Sequence, residues 1–114
     1  MIKIYHNPSC KKSRAGLEYL KEKASNFEVV KYLTDQPFTF ESLSELIDKL
    51  DISAEELIRT QESTYKQHYK GKELSKNDWI QAMVENPKLI GRPIVERGEA
   101  AVLGNPPENI DRLF

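Results

Sequence analysis

Apolar and polar positions alternate from the start of the chain: Ile2 and Ile4 are separated by Lys3 and Tyr5, the period of a half-buried strand. Asn7-Pro8 marks a turn. From Arg14 onward the period changes, with Leu17, Leu20 and Ala24 at helical spacing and Glu and Lys between them. Phe27 to Leu33, rich in β-branched and aromatic residues, predicts a second strand. Such a βαβ unit carries parallel strands and a right-handed crossover. Thr34-Asp35-Gln36-Pro37 breaks the chain, after which Phe40, Leu43, Ile47 and Leu50 predict an amphipathic helix started by Thr39. Ser53 and Glu56 form a capping-box pair ahead of a short helix through Leu57 and Ile58. Gln61 to Leu74 is polar and reads as loop with a helical turn around Tyr65 to Tyr69, the two tyrosines packing against neighbouring helices. Ser75 with Asp78 opens another helix, burying Trp79, Ile80, Met83 and Val84, and Asn86-Pro87 ends it.

The last third changes character. Ile94-Val95-Glu96 and Ala100-Ala101-Val102-Leu103 flank Arg97-Gly98, a hairpin signal, and Pro107 is the expected first residue of a short closing helix up to Leu113. The order is β, α, β, several helices, then ββα. It matches an α/β, thioredoxin-like arrangement, βαβ…ββα, with a helical insertion between the two halves: one domain over residues 1–114, inserted at about 38–88. Arg92-Pro93 enters the third strand, where a proline is tolerated at the first position. Base rates favour a trans bond there, whereas thioredoxin-like folds carry a cis-proline at this point beside their active cysteine.

With 39% hydrophobic and 31% charged residues over 114 positions, the chain has the composition of one globular domain with a single core. Its net charge of −1 supplies no bulk field to recruit nucleic acid or an anionic membrane. No apolar run approaches the roughly 18 residues of a membrane span. The chain starts directly on a strand pattern without a signal-peptide core, and its one cysteine permits no internal disulfide, so a cytoplasmic location is expected. Two histidines and one cysteine, widely separated, give no metal-ligand pattern.

That cysteine, Cys10, falls where the first strand hands over to the first helix. A helix start presents unpaired N–H groups and a positive dipole end, which favour an anion and lower a thiol pKa. Free cysteines are often inert small hydrophobes in a core. Ser9, Lys11, Lys12 and Ser13 are not core residues, however, and they point to a reactive thiol. The backbone N–H groups of Lys11 and Lys12, more than their ammonium groups, are the expected anion donors. Ser13 cannot resolve a disulfide but can hydrogen-bond a thiolate or cap the helix. Arg14 is expected to make a structural contact near the helix start. His6 is either a hydrogen-bonded turn histidine or a supporter of the thiolate, and His68 is expected at the surface.

The stretch Ile4-Tyr5-His6-Asn7-Pro8-Ser9-Cys10-Lys11-Lys12-Ser13-Arg14 resembles the signature of glutaredoxin-coupled arsenate reductases. Leu57-Ile58-Arg59, Asn86 to Val95 and Gly104-Asn105-Pro106-Pro107-Glu108 resemble further segments of that family in the same order, so the likeness covers essentially the whole chain. The resemblance implies that arsenate is reduced to arsenite, with Cys10 as nucleophile, His6 beside it, and Arg59 and Arg92 clamping the oxyanion. Glutathione is then the co-substrate and glutaredoxin the partner that resolves the mixed disulfide, with no bound cofactor. One position departs from the family. Asn105 stands where its members usually carry a third arginine, and it offers an undirected neutral donor in place of a charged planar fork. Two other readings follow from the same residues: a monothiol oxidoreductase acting on glutathione mixed disulfides, or a redox-linked RNA-polymerase-binding regulator. The regulatory branch of the family usually has a Cys-x-x-Cys pair, whose second position here is Ser13.

Overall fold

The computed structural model describes all residues, Met1–Phe114, and divides into two compact units: Met1–Pro37 with Arg92–Phe114, and Phe38–Gly91. In the first unit, β1 (Ile2–His6), α1 (Lys11–Lys23), β2 (Glu28–Lys31) and the one-turn α2 (Tyr32–Asp35) are followed, after the second unit, by β3 (Ile94–Arg97), β4 (Ala100–Leu103) and a closing 3-10 helix, Pro107–Leu113. The strand order is β2-β1-β3-β4, with β1 parallel to β2 and antiparallel to β3, and β3 antiparallel to β4. The parallel pair and the hairpin expected from the element order thus join in one four-stranded mixed sheet.

Register explains the core of this unit. Ile4 lies opposite Val95, and Val95 opposite Val102, so one sheet face carries an unbroken apolar row. Ile2, Leu20 of α1 and Ile110 of the closing helix complete the cluster, with Leu17 and Phe27 at its margin. β1 alternates buried and half-buried residues along its length, which places His6 on the same face as Ile2 and Ile4. The face of α1 that is buried is the stripe Ser13, Gly16 and Leu20. At its far end, Tyr19 donates to Asp111 at 2.8 Å and Lys23 approaches the same carboxylate at 3.0 Å, tying α1 to the closing helix.

In the second unit, α3 (Phe40–Leu50), a 3-10 turn (Glu55–Leu57), α4 (Ser63–His68), α5 (Lys76–Glu85) and a second 3-10 turn (Pro87–Leu89) follow one another, with α3 packed on α5. Thr39 caps α3 in a full capping box with Ser42. Ser53 and Glu56 exchange both of their expected hydrogen bonds, 2.8 and 3.2 Å. Ser75 Oγ accepts from the N–H of Asp78 at the start of α5. Trp79 is buried, with the ring centroids of Tyr65 and Tyr69 6.5 and 6.0 Å away. His68 is exposed.

Three expected elements change shape. The second strand stops at Lys31, because Tyr32 opens the one-turn α2 and Gln36 ends it in a left-handed conformation. The short helix after Ser53 is a single 3-10 turn, and Ile58 is extended and bridges Ile90. The segment after Gln61 holds a six-residue helix, longer than the turn that its polar pattern suggested. The peptide bonds before Pro93 and Pro106 are both cis. No helix is long and apolar enough to cross a membrane.

Candidate active site

The loop from β1 into α1 is tied down at three points. The N–H of Cys10 donates to the carbonyl of Asn7 at 3.0 Å, closing a turn. The Asn7 side-chain oxygen accepts from the N–H of Ser9 at 3.0 Å. Arg14 Nη1 donates to the Pro8 carbonyl at 2.8 Å, so this guanidinium is a strut of the loop, as a structural contact near the helix start requires. Cys10 is the N-cap residue of α1, extended in backbone and partly exposed.

As a thiol, Cys10 makes no side-chain cap bond. Its ionised form is favoured all the same. Burial works against the thiolate, but the N–H of Ser13, a hydrogen bond from the Arg92 side chain, the N–H of Lys12 and the charge of Arg92 outweigh it and hold the thiol below its ordinary range. Arg92 arrives there by register. Tyr5 near the end of β1 pairs with Ile94 at the start of β3, so the residue two positions before Ile94 lies at the same sheet end as the loop carrying Cys10. The donors from α1 are thus backbone groups at its second and third positions, while the Lys11 and Lys12 side chains are exposed.

Ser13 divides its functions. Its backbone faces Cys10, whereas its hydroxyl is fully buried against the other neighbours of the loop. Ser13 Oγ lies 2.7 Å from His6 Nδ1 and accepts from the N–H of Asn7 at 3.0 Å. The hydroxyl thereby fixes β1, the loop and α1 to one another. His6 is only 5% exposed. Burial, with the charges of Lys31, Arg14 and Lys21, lowers its pKa despite the contact to Ser13. At neutral pH the imidazole is therefore uncharged, and a neutral Nδ1 can accept from the Ser13 hydroxyl.

The sign of that shift makes an expectation about folding. The unfolded chain holds the His6 proton more tightly than the folded one. The contribution of neutral, buried His6 is therefore complete above the ordinary histidine pKa of about 6.5 and is lost as pH falls through the lower folded-state value. Urea midpoints are expected to drop on the acid side of that range. His6→Asn keeps an amide near the Nδ1 position but does not titrate, and it should flatten this part of the profile. An unchanged slope would assign the pH dependence to other groups.

The remaining candidates sit as follows. Arg59, in the second unit, pairs through Nη1 with Glu62 Oε2 at 2.5 Å, and its N–H donates to the Leu89 carbonyl at 2.8 Å. Asn105 is exposed, on the cis bond to Pro106. Arg97 donates to the Leu113 carbonyl at 2.9 Å and lies 4.7 Å from the Phe114 ring centre, so it is committed to the chain end and does not stand in for the missing arginine. Pro93 is buried beside Gly16 and Gly104. No group of three or more His, Cys, Asp or Glu is placed to hold a metal. Two contributors had weak signals in the sequence. Asn7 reads as a turn residue, yet it is buried and organises the loop. Gly16 carries a signal in being a glycine inside a helix, where alanine is the more favourable residue.

Known proteins resemble this chain over nearly its whole length. The model of the ArsC family matches residues 5–113. The chain is 46% identical over 111 residues to YfgD, an uncharacterized protein of Escherichia coli K12, covering 96% of this chain and 92% of the relative. It is 39% identical over 115 residues to an arsenate reductase of Neisseria meningitidis, covering 99% and 97%. The solved arsenate reductase from Vibrio cholerae superposes with a TM-score of 0.92 at 37% identity, covering 99% of this chain and 97% of that one. With its cysteine at the helix start and its four-stranded mixed sheet, the chain belongs to the ArsC family of the thioredoxin-like superfamily.

Proposed function

We propose that this protein is a thiol-dependent arsenate reductase in which Cys10 is the nucleophile and glutathione and glutaredoxin supply the resolving thiols. The observation that carries the reading is Cys10 itself, partly exposed at the N-cap of α1, with two helix N–H groups and the Arg92 guanidinium favouring its thiolate. Arsenate is a tetrahedral oxyanion, and a thiolate approaching it meets like-charge repulsion. Donors aimed at that point relieve the repulsion in the transition state.

The chemistry balances with these groups. The Cys10 thiolate attacks arsenic and forms an S–As bond, and one arsenic oxygen leaves as water with protons taken from solvent. The glutathione thiolate then attacks the Cys10 sulfur. An S–S bond forms, the S–As electron pair stays on arsenic, and As(V) departs as As(III) arsenite. Exchange with a glutaredoxin thiol reduces the Cys10–glutathione disulfide and restores the thiolate. The family resemblance implies Arg59 as a second guanidinium for the anion, and in this structure its Nη1 is engaged by Glu62.

A second reading, reduction of glutathione mixed disulfides without arsenate turnover, is favoured by one observation: Asn105 is neutral and Arg97 is engaged elsewhere. A steady-state assay with arsenate, glutathione and glutaredoxin separates the two. Arsenite production dependent on all three supports the reductase. Activity on a glutathione mixed disulfide with no arsenite formed replaces it with the second reading. If the site is otherwise competent, Asn105→Arg is expected to raise arsenate turnover. No change would mean that position 105 does not line the site.

A further inference from the structure

Gly16 lies in the middle of α1, where a glycine gives a less stable helix than alanine would. It is buried, and the space its missing side chain leaves is filled by a ring. A Cβ built on Gly16 would come 2.5 Å from Pro93 Cγ and 3.1 Å from the Gly104 carbonyl oxygen. A Cβ on Gly104 would come 3.0 Å from the same Pro93 Cγ and 3.4 Å from Ile110 Cδ1. The Pro93 carbonyl is pinned on this side as well, accepting from the N–H of Gly104 at 2.8 Å. The ring is therefore held between two glycines, one on the helix that starts at Cys10 and one just beyond β4.

We infer that Gly16, with Gly104, is a positioning residue: the two glycines form a seat for the Pro93 ring that sets how closely the adjacent Arg92 approaches the sulfur of Cys10. Both ends of this distance are fixed by the same contact. Cys10 rides on α1 through the first helical hydrogen bond, Arg14 N–H to Cys10 carbonyl at 3.0 Å. Arg92 is bonded directly to Pro93. A methyl group at position 16 meets Cγ of a closed ring, which has no free rotation to move aside. The helix and the strand entry must separate, which weakens the hydrogen bond from Arg92 to the sulfur.

The inference rests on the Cys10–Arg92 pair of the proposed function, so its readout is thiol reactivity instead of arsenate turnover. Alkylation of Cys10 is measured against pH in the wild type, Gly16→Ala, Arg92→Ala and the double variant. Gly16→Ala is expected to shift the profile to higher pH and to slow alkylation on its acid limb by about threefold or more. Added to Arg92→Ala, it should produce no further shift. A folded Gly16→Ala with wild-type reactivity, or additive shifts in the double variant, overturns the inference. An Arg92→Ala profile identical to wild type removes the pair itself, and the inference with it. If Gly16→Ala does not fold, Pro93→Ala carries the test. It deletes the Cγ that meets residue 16 and leaves Cβ at an ordinary 3.6 Å. Pro93→Ala should reproduce the Arg92→Ala profile and restore folding when combined with Gly16→Ala. A wild-type profile in Pro93→Ala, or a double variant that stays unfolded, overturns it.

Discussion

Replacing Cys10 by serine is expected to reduce arsenite formation to the uncatalysed background while leaving the fold intact. The two requirements placed on this atom are separate, and serine meets neither. The first step needs a soft anionic nucleophile at neutral pH, and a serine hydroxyl remains protonated even with the N–H groups of Lys12 and Ser13 and the Arg92 side chain aimed at it. The second step forms an S–S bond for which oxygen has no counterpart. Stability should change little. Serine is among the preferred N-cap residues and can accept from the same N–H groups that favour the Cys10 thiolate, so it keeps a cap at this position while losing the charge. Activity assays alongside thermal unfolding check both halves. A Cys10→Ser protein that turns over near the wild-type rate would take Cys10 out of the mechanism. One that is inactive but unfolded would leave the activity loss without meaning for chemistry, and urea titration distinguishes that case.

Local signals carried much of the architecture. The strand period at Ile2 and Ile4, the cap at Thr39, the Ser53–Glu56 pair, the Ser75 cap and the Arg97-Gly98 turn each act over a few residues, and each recurs in the structure as a named hydrogen bond or register. Misjudged boundaries have local causes too. Tyr32 has strand propensity but opens a helical turn, in which it is buried. Gln61 to Leu74 lacks an apolar period because its helix buries no residue fully, the aromatic contacts to Trp79 being made by Tyr65 and Tyr69.

For the site, the sequence placed Cys10 at a helix start because the strand and helix periods bracket it. It could not divide Ser13 into a backbone donor and a buried hydroxyl, since that division depends on where His6 and Asn7 come to rest across the loop. Nor did it reveal the clearance at Gly16, which exists only because residues 93 and 104, far along the chain, meet α1 there. Pro93 shows the same limit. Its ring and its cis bond are a matter of how β3 enters the sheet, and base rates for proline favour the other isomer.

Arg92→Ala is expected to lower kcat/KM for arsenate by about 10²–10³-fold, on the order of 3–4 kcal/mol of lost transition-state stabilisation. Two effects combine, and pH separates them. Arg92 favours the Cys10 thiolate by hydrogen bond and by charge, so its removal raises the thiol pKa and moves the acid limb of the rate profile to higher pH. That part of the loss shrinks as pH rises and the thiolate recovers. The second effect, which follows from the proposed mechanism, is the loss of a planar charged fork for the oxyanion in the transition state, and it persists at every pH. Arg92→Lys keeps the charge without the fork, so it should retain much of the pKa effect and less of the pH-independent one. A profile displaced without any loss on its plateau would confine Arg92 to the thiol. A plateau loss without displacement would confine it to the anion. An unchanged profile and plateau in Arg92→Ala would separate Arg92 from both, and the electropositive frame at the start of α1 would then consist of the helix N–H groups alone.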